Sequence, residues 1–347
     1  MGPGRLPFSL PPQPDELLSS WLVRLAHAHE CKVYTFTKVL FPDSSVWNRD
    51  VDKAAPAAVL DGLAERTPTV ASRIQATTLR SYEGRLYLRH NPYGNTDWVL
   101  PLGIYHRMHR RCGLLFCPGC LRRDGANPYY RTRWRLALSL ACPACGVRLH
   151  DHCPGCQAPV IFFRKDLGHK LELPDVPLSH CFRCGFDLAS AETVRAPASV
   201  LRAQTEWERI LIEGWTEAVS YPHLYFFVLH QLVRVLSSDR TACAPLQQAL
   251  AQQAGPDLPE VVVGRLRAAR SFEHLPFDAR WAVLQQAHWL LTEWPHRFVY
   301  FMKHHRIAST PLLQGLSLEQ VPFWYGSVIQ EELYVNNVNR RFANFWS

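Results

Sequence analysis

Eight cysteines of this chain stand in four Cys-x-x-Cys pairs: Cys117/Cys120, Cys142/Cys145, Cys153/Cys156 and Cys181/Cys184. Gaps of 21, 7 and 24 residues separate them. Two cysteines three apart on a tight turn can turn both sulfurs to one metal. Two such pairs complete the closed tetrahedral thiolate site typical of structural zinc. The outer gaps fit, or slightly exceed, the zinc-ribbon spacing of roughly 15–20 residues. The short middle gap reads as a bridge between two sites, which pairs first with second and third with fourth. A cross-braced arrangement, first with third, also satisfies the spacing. Pro118, Pro143 and Pro154 follow the first Cys of their pairs and pre-set φ for the turn. Gly146 and Gly185 follow the second Cys, where a positive φ is often needed. Two structural Zn2+ ions are expected, with binding and folding of this stretch one event. His150 and His152 lie between the sites and read as supporting or surface groups, because eight thiols are already available.

Positive charge surrounds the first pair. From His106 to Arg135 there are eight arginines (Arg107, Arg110, Arg111, Arg122, Arg123, Arg131, Arg133 and Arg135) against one acid, Asp124. Arginine suits bidentate contacts to phosphate, and Tyr129 and Tyr130 among them could stack on bases. The formal charge of the whole chain, +8, points to an acidic partner, nucleic acid before membrane. The competing reading is a solvated basic face that binds nothing.

The elements that must hold these groups are mainly helical. A Pro-rich lead-in, residues 5–14, runs up to Asp15, which reads as an N-cap. Leu17, Leu18, Trp21, Leu22 and Leu25 follow at helical spacing, with Ser19, Ser20 and Arg24 on other faces. Residues 57–65 and about 68–78 predict two short helices around the break Thr67-Pro68-Thr69, with Val70, Ile74 and Leu79 inward. That pattern is helix-turn-helix-like, about residues 56–79, and would put Arg73 and Arg80 on or near an outer face that could reach DNA. Trp134, Leu136, Leu138 and Leu140 alternate with smaller or polar residues, the period of a half-buried strand leading to Cys142. Helical patterns return over residues 199–214, 221–237, 242–258, 277–294, 295–305 and 316–333. Phe323, Trp324, Tyr325 and the tail residues Phe345 and Trp346 read as core or partner-binding aromatics.

The expected architecture is mainly α in three parts. Residues 1–105 form a helical domain with the helix-turn-helix, 106–190 a double zinc-ribbon region with short strands, and 191–347 a C-terminal helical domain. At 347 residues and 47% hydrophobic, the chain can bury real cores. The remaining cysteines, Cys31, Cys112 and Cys243, show no partner spacing, so thiolates on metal in a reducing cytoplasm are expected rather than disulfides. No apolar run long enough for a transmembrane helix and no signal-peptide core stand out, so no membrane association is expected. Neither a phosphate-binding Gly-x-x-x-x-Gly-Lys-Ser/Thr loop nor a Gly-x-Gly-x-x-Gly fingerprint occurs. A zinc hydrolase or deaminase would need an open metal position with a nearby Glu as base, and four thiolates per ion leave none.

Together these residues resemble the TniQ family, which includes the TnsD-type target selectors of heteromeric transposons. The resemblance rests on the lead-in and first helix, Leu6-Pro7 through Pro14-Asp15-Glu16-Leu17-Leu18-Ser19-Ser20-Trp21-Leu22-Val23-Arg24-Leu25-Ala26. It continues in Phe116-Cys117-Pro118-Gly119-Cys120-Leu121, and in Tyr130-Arg131-Thr132-Arg133-Trp134-Arg135-Leu136-Ala137 running into Cys142-Pro143-Ala144-Cys145-Gly146. It is specific over about residues 6–156 and looser beyond. Where the family commonly has His, this chain has Cys145, which still offers a zinc ligand. The resemblance implies a bacterial, cytoplasmic, non-enzymatic target-selection adaptor. Such a protein links a targeting module, a CRISPR guide-RNA effector complex in some members, to the transposon's AAA+ ATPase regulator and its transposase, often as a homodimer. The alternative is a direct, sequence-specific DNA-binding protein that reads an attachment site.

Overall fold

Leu17, Leu18, Trp21, Leu22 and Leu25 are all fully buried, and four of them lie on helix α1 (Leu18–Ala28). Its other face is buried too. Ser19 donates through N and Oγ to the Asp52 carboxylate at 2.7 and 2.8 Å. Ser20 Oγ and Arg24 Nη1 donate to Glu16 at 2.8 and 2.7 Å. A helix can sink on every side only when its polar groups find partners inside, and here two acids supply them. Asp15 does not cap α1: Leu17 holds the cap position with no side-chain bond, and Asp15 turns away to Thr132 and Arg133. The lead-in is pinned by its carbonyls, Leu10 O to Trp21 Nε1 and Pro12 O to Arg73 Nη2, each at 2.7 Å.

The computed structural model describes residues 4–165, 177–217, 219–253 and 271–333. Contacts divide the chain into two units: residues up to Glu83 with Arg89–Ala196, and Gly84–Leu88 with the chain from Pro197 onward.

In the first unit, α1 packs against α2 (Val33–Leu40) and α3 (Val51–Ala54), and α4 (Ala57–Arg66) packs against α5 (Ala71–Gln75). α5 is shorter than the pattern predicts. Thr67 Oγ1 donates to Leu63 O and accepts from Thr69 N, so the break extends to Val70, which is exposed. Thr77 and Thr78 hydroxyls then donate to the carbonyls of Ile74 and Gln75 and end the helix. Two short hairpins follow: β1 (Ile104–Tyr105) with β2 (Met108–His109), and β3 (Ala141–Cys142) with β4 (Val147–Arg148). Between them lies α6 (Pro118–Asp124). The stretch expected as a strand from Trp134 opens instead with a 3-10 turn, Thr132–Arg135, and only Ala141–Cys142 pairs as strand. Its alternation misleads because Arg135, Ala137 and Ser139 are buried as well. Arg135 is 1% exposed and donates to Asp50 at 2.6 and 3.0 Å and to the carbonyls of Leu100 and Gly113 at 2.9 Å.

The second unit is helical: α7 (Ala198–Glu213), α8 (Pro222–Leu236), α9 (Ala244–Gln252), α10 (Phe277–Leu291), α11 (His296–His304) and α12 (Phe323–Glu332). α8 packs on α7 and α10, burying Trp207, Tyr225, Phe226, Leu229 and Leu284. The helix expected over 316–333 begins only after Pro322, which takes the N-cap position. Residues 166–176, the end of the 242–258 pattern and the tail with Phe345 and Trp346 lie outside the described residues. Among the described residues no helix is long and apolar enough to cross a membrane.

Candidate metal centres and basic surface

Each Cys-x-x-Cys pair is held by a turn that points both sulfurs one way. Cys117 caps α6, its Sγ accepting from Cys120 N at 3.4 Å, and Pro118 opens the helix. The other three pairs turn differently. Gly146 N, Gln157 N and Gly185 N donate back to Cys142 O, Cys153 O and Cys181 O at 2.8, 2.8 and 3.0 Å. These three residues carry φ of +68°, +59° and +74°. Glycine makes that conformation easy at two of them. Gln157 adopts it without glycine's freedom, so the sequence gives no sign of it. Gly119 is required for a different reason: a Cβ there would lie 2.9 Å from Cys145 Sγ.

The turns gather two clusters, Cys117/Cys120/Cys142/Cys145 and Cys153/Cys156/Cys181/Cys184, with all sulfurs of each within 4.8 Å of one another. This is the sequential arrangement, not the cross-braced one. Four thiolates about 2.3 Å from one tetrahedral zinc lie about 3.8 Å apart. Cys120 Sγ is 3.5 Å from Cys142 Sγ and 3.7 Å from Cys145 Sγ. The Cys153–Cys184 and Cys156–Cys181 separations are both 3.7 Å. These distances are far too long for disulfides and suit a shared cation, so each cluster could hold a metal ion. Burial pushes the Cys153 thiol up to about 12, whereas a bound dication favours the thiolate form. The first cluster is the more enclosed. Cys117, Cys120 and Cys142 are buried, and Arg123 Nη2 lies 3.4 Å from Cys145 Sγ. In the second, Cys184 is exposed.

The arginines divide into two groups. Arg131 is buried, donates two hydrogen bonds to the Asp124 carboxylate at 2.7 and 2.9 Å and lies over the rings of Tyr129 and Trp134. Arg133 sits 3.4 Å from Asp15, and Arg135 is enclosed as described. These three hold the fold. Arg107, Arg110, Arg111, Arg122 and Arg123 are exposed. Arg122 leans on Ala189 O at 2.8 Å. Arg73 spends one nitrogen on the lead-in, and Arg80 pairs with Glu83 at 3.3 Å. Tyr130 cannot stack on a ligand: it is fully buried against Phe162, ring centroids 4.3 Å apart.

An exposed ring that sequence reading missed is Tyr105, 53% exposed at the end of β1, with the Arg110 guanidinium 4.0 Å above it. The β1–β2 turn is His106-Arg107, both at positive φ, and Arg107 reaches Asn48 Oδ1 at 3.1 Å and the face of Tyr34. The hairpin thus presents an exposed aromatic ring with a cation against it. In the second unit Trp324 and Tyr325 face inward. Trp324 packs 4.8 Å from Trp215 and 5.0 Å from Trp294, and Tyr325 is fully buried. Phe323 alone of that group is largely exposed, at 63%.

Fold and site together define a mainly helical protein with two four-cysteine clusters in tandem that could each hold a metal ion, and arginines displayed beside the first. Residues 7–149 match the TniQ family model, and the chain carries a TniQ domain over that stretch. The match takes in the first cysteine cluster and ends before the second. Such a domain marks a transposition-associated target-selection protein. Curated proteins offer no match to the chain.

Proposed function

We propose that the protein is the target-selection adaptor of a heteromeric DNA transposon. In this reading it links a targeting module, a CRISPR guide-RNA effector complex, to the AAA+ ATPase regulator that recruits the transposase. It acts by binding rather than by chemistry: its eight paired cysteines hold two structural Zn2+ ions and close them to substrate. The observation that carries the reading is the TniQ domain itself. The exposed hairpin supports a nucleic-acid contact, through Arg107, Arg110 and Arg111 on phosphates and Tyr105 on a base. Arg122 and Arg123 would extend that face.

Reconstitution tests it. The purified chain should co-purify with the ATPase regulator or the effector complex encoded beside it, and should bind DNA with little sequence preference. Recovery of neither partner, with one protected sequence in a footprint at physiological salt, would replace the adaptor by a direct attachment-site reader. Substituting Arg107, Arg110 and Arg111 by Ala should lower the salt slope of nucleic-acid binding by about 1 per lost phosphate contact.

A further inference from the structure

Cys112 stands outside the four Cys-x-x-Cys pairs, and Asp151 and His152 lie on the short bridge between the two cysteine clusters. The fold brings them together. Phe116 and His150 exchange backbone bonds, N to O, at 2.8 and 2.9 Å. The chain leading into Phe116 therefore runs antiparallel to the chain leaving His150, which carries Cys112 back alongside the bridge. His152 is pinned on its other side by a bridge to Pro159. The sulfur of Cys112, a carboxylate oxygen of Asp151 and a ring nitrogen of His152 all lie within 4.8 Å of one another. His152 Nδ1 is 2.6 Å from Asp151 Oδ1, with side chains 39% and 18% exposed.

We propose that Cys112, Asp151 and His152 form a third metal site, distinct from the eight paired cysteines, which takes a divalent ion of the zinc type. One sulfur, one imidazole nitrogen and one carboxylate oxygen match that ion's ligand preferences. Three protein ligands leave a fourth position, and partial exposure lets water fill it. With fewer thiolates and more solvent, this site holds its ion less tightly than either four-cysteine cluster. Loading it ties the segment directly after Arg110 and Arg111 to the bridge between the clusters, and so braces the base of the β1–β2 hairpin.

The test is metal counting on the full chain. Protein desalted into metal-free buffer should retain two zinc ions, one for each cluster. Equilibrium dialysis against micromolar Zn2+ alone should add a third. Cys112→Ser and His152→Ala should each take up two and no more, with circular dichroism unchanged. His152 adjoins Cys153, so if its variant misfolds, Cys112→Ser decides the matter, since it lies outside both clusters. Saturation of the parent at two ions would overturn the proposal. So would a third ion that persists in Cys112→Ser, which would then be zinc held by other surface groups.

Discussion

Arg135 is the residue on which the first unit leans hardest. Its guanidinium joins Asp50 and Asp52 to the carbonyls of Leu100 and Gly113. Burial works against the Asp50 carboxylate, but Arg135 outweighs it and holds Asp50 below its ordinary value. Arg135→Ala would strand two buried acids, and should cost about 3–5 kcal/mol in denaturant unfolding. Asp52 behaves in the opposite sense: burial and the nearby Asp50 charge push it up to about 6. A carboxyl whose folded value exceeds its unfolded one favours the fold while protonated, and costs stability as pH rises through the folded value. Asp52→Asn, still able to accept from Ser19 N, should therefore gain on the parent in Tm as pH rises from about 4 to about 6, and keep that gain at higher pH. A variant that instead loses ground over that range would contradict the assignment. Neither role was legible in the sequence. Arg135 looked like one more surface cation because its acids lie some eighty residues earlier, and burial of a charge is decided by such distant partners.

At the scale of elements, the cysteine turns were the most readable part of the chain. A thiolate site needs a particular residue type at a short, fixed spacing, so local sequence carries nearly all of the signal. The short α5 was less readable, because threonine hydroxyls competed with helix hydrogen bonds at both of its ends. Two arginines of the expected basic face, Arg131 and Arg135, proved to be buried, each on a carboxylate partner, Asp124 and Asp50. The two metal centres should also separate in experiment. The first is walled by buried sulfurs and Arg123, and the second opens at Cys184. A competing chelator should strip the second centre first, visible as two phases of zinc release. Cys184→Ser should abolish the fast phase and leave the slow one, whereas a single phase of two ions would show equal protection.

For the whole molecule, metal dependence should be confined to one unit. Structural zinc in comparable small sites is worth on the order of 10 kcal/mol, and both clusters belong to the first unit. The second rests on an apolar core around Trp207, Phe226 and Leu284 and on the ring cluster of Trp215, Trp294 and Trp324. Full chelation should abolish one thermal transition and leave another near its original temperature. Loss of both would mean that the second core cannot stand alone. The division also falls where a gene designer would not look for it. Gly84–Leu88 belongs with the helices after Pro197, and Leu86 and Tyr87 are buried. An expression fragment ending at Ala196 keeps this peptide but forfeits its cover, and one starting at Pro197 lacks it altogether. Both pieces should melt at lower temperature than the corresponding unit of the full chain. Adding residues 84–88 back as a synthetic pentapeptide should raise the melting temperature of the C-terminal fragment, since its missing wall need not be covalently attached.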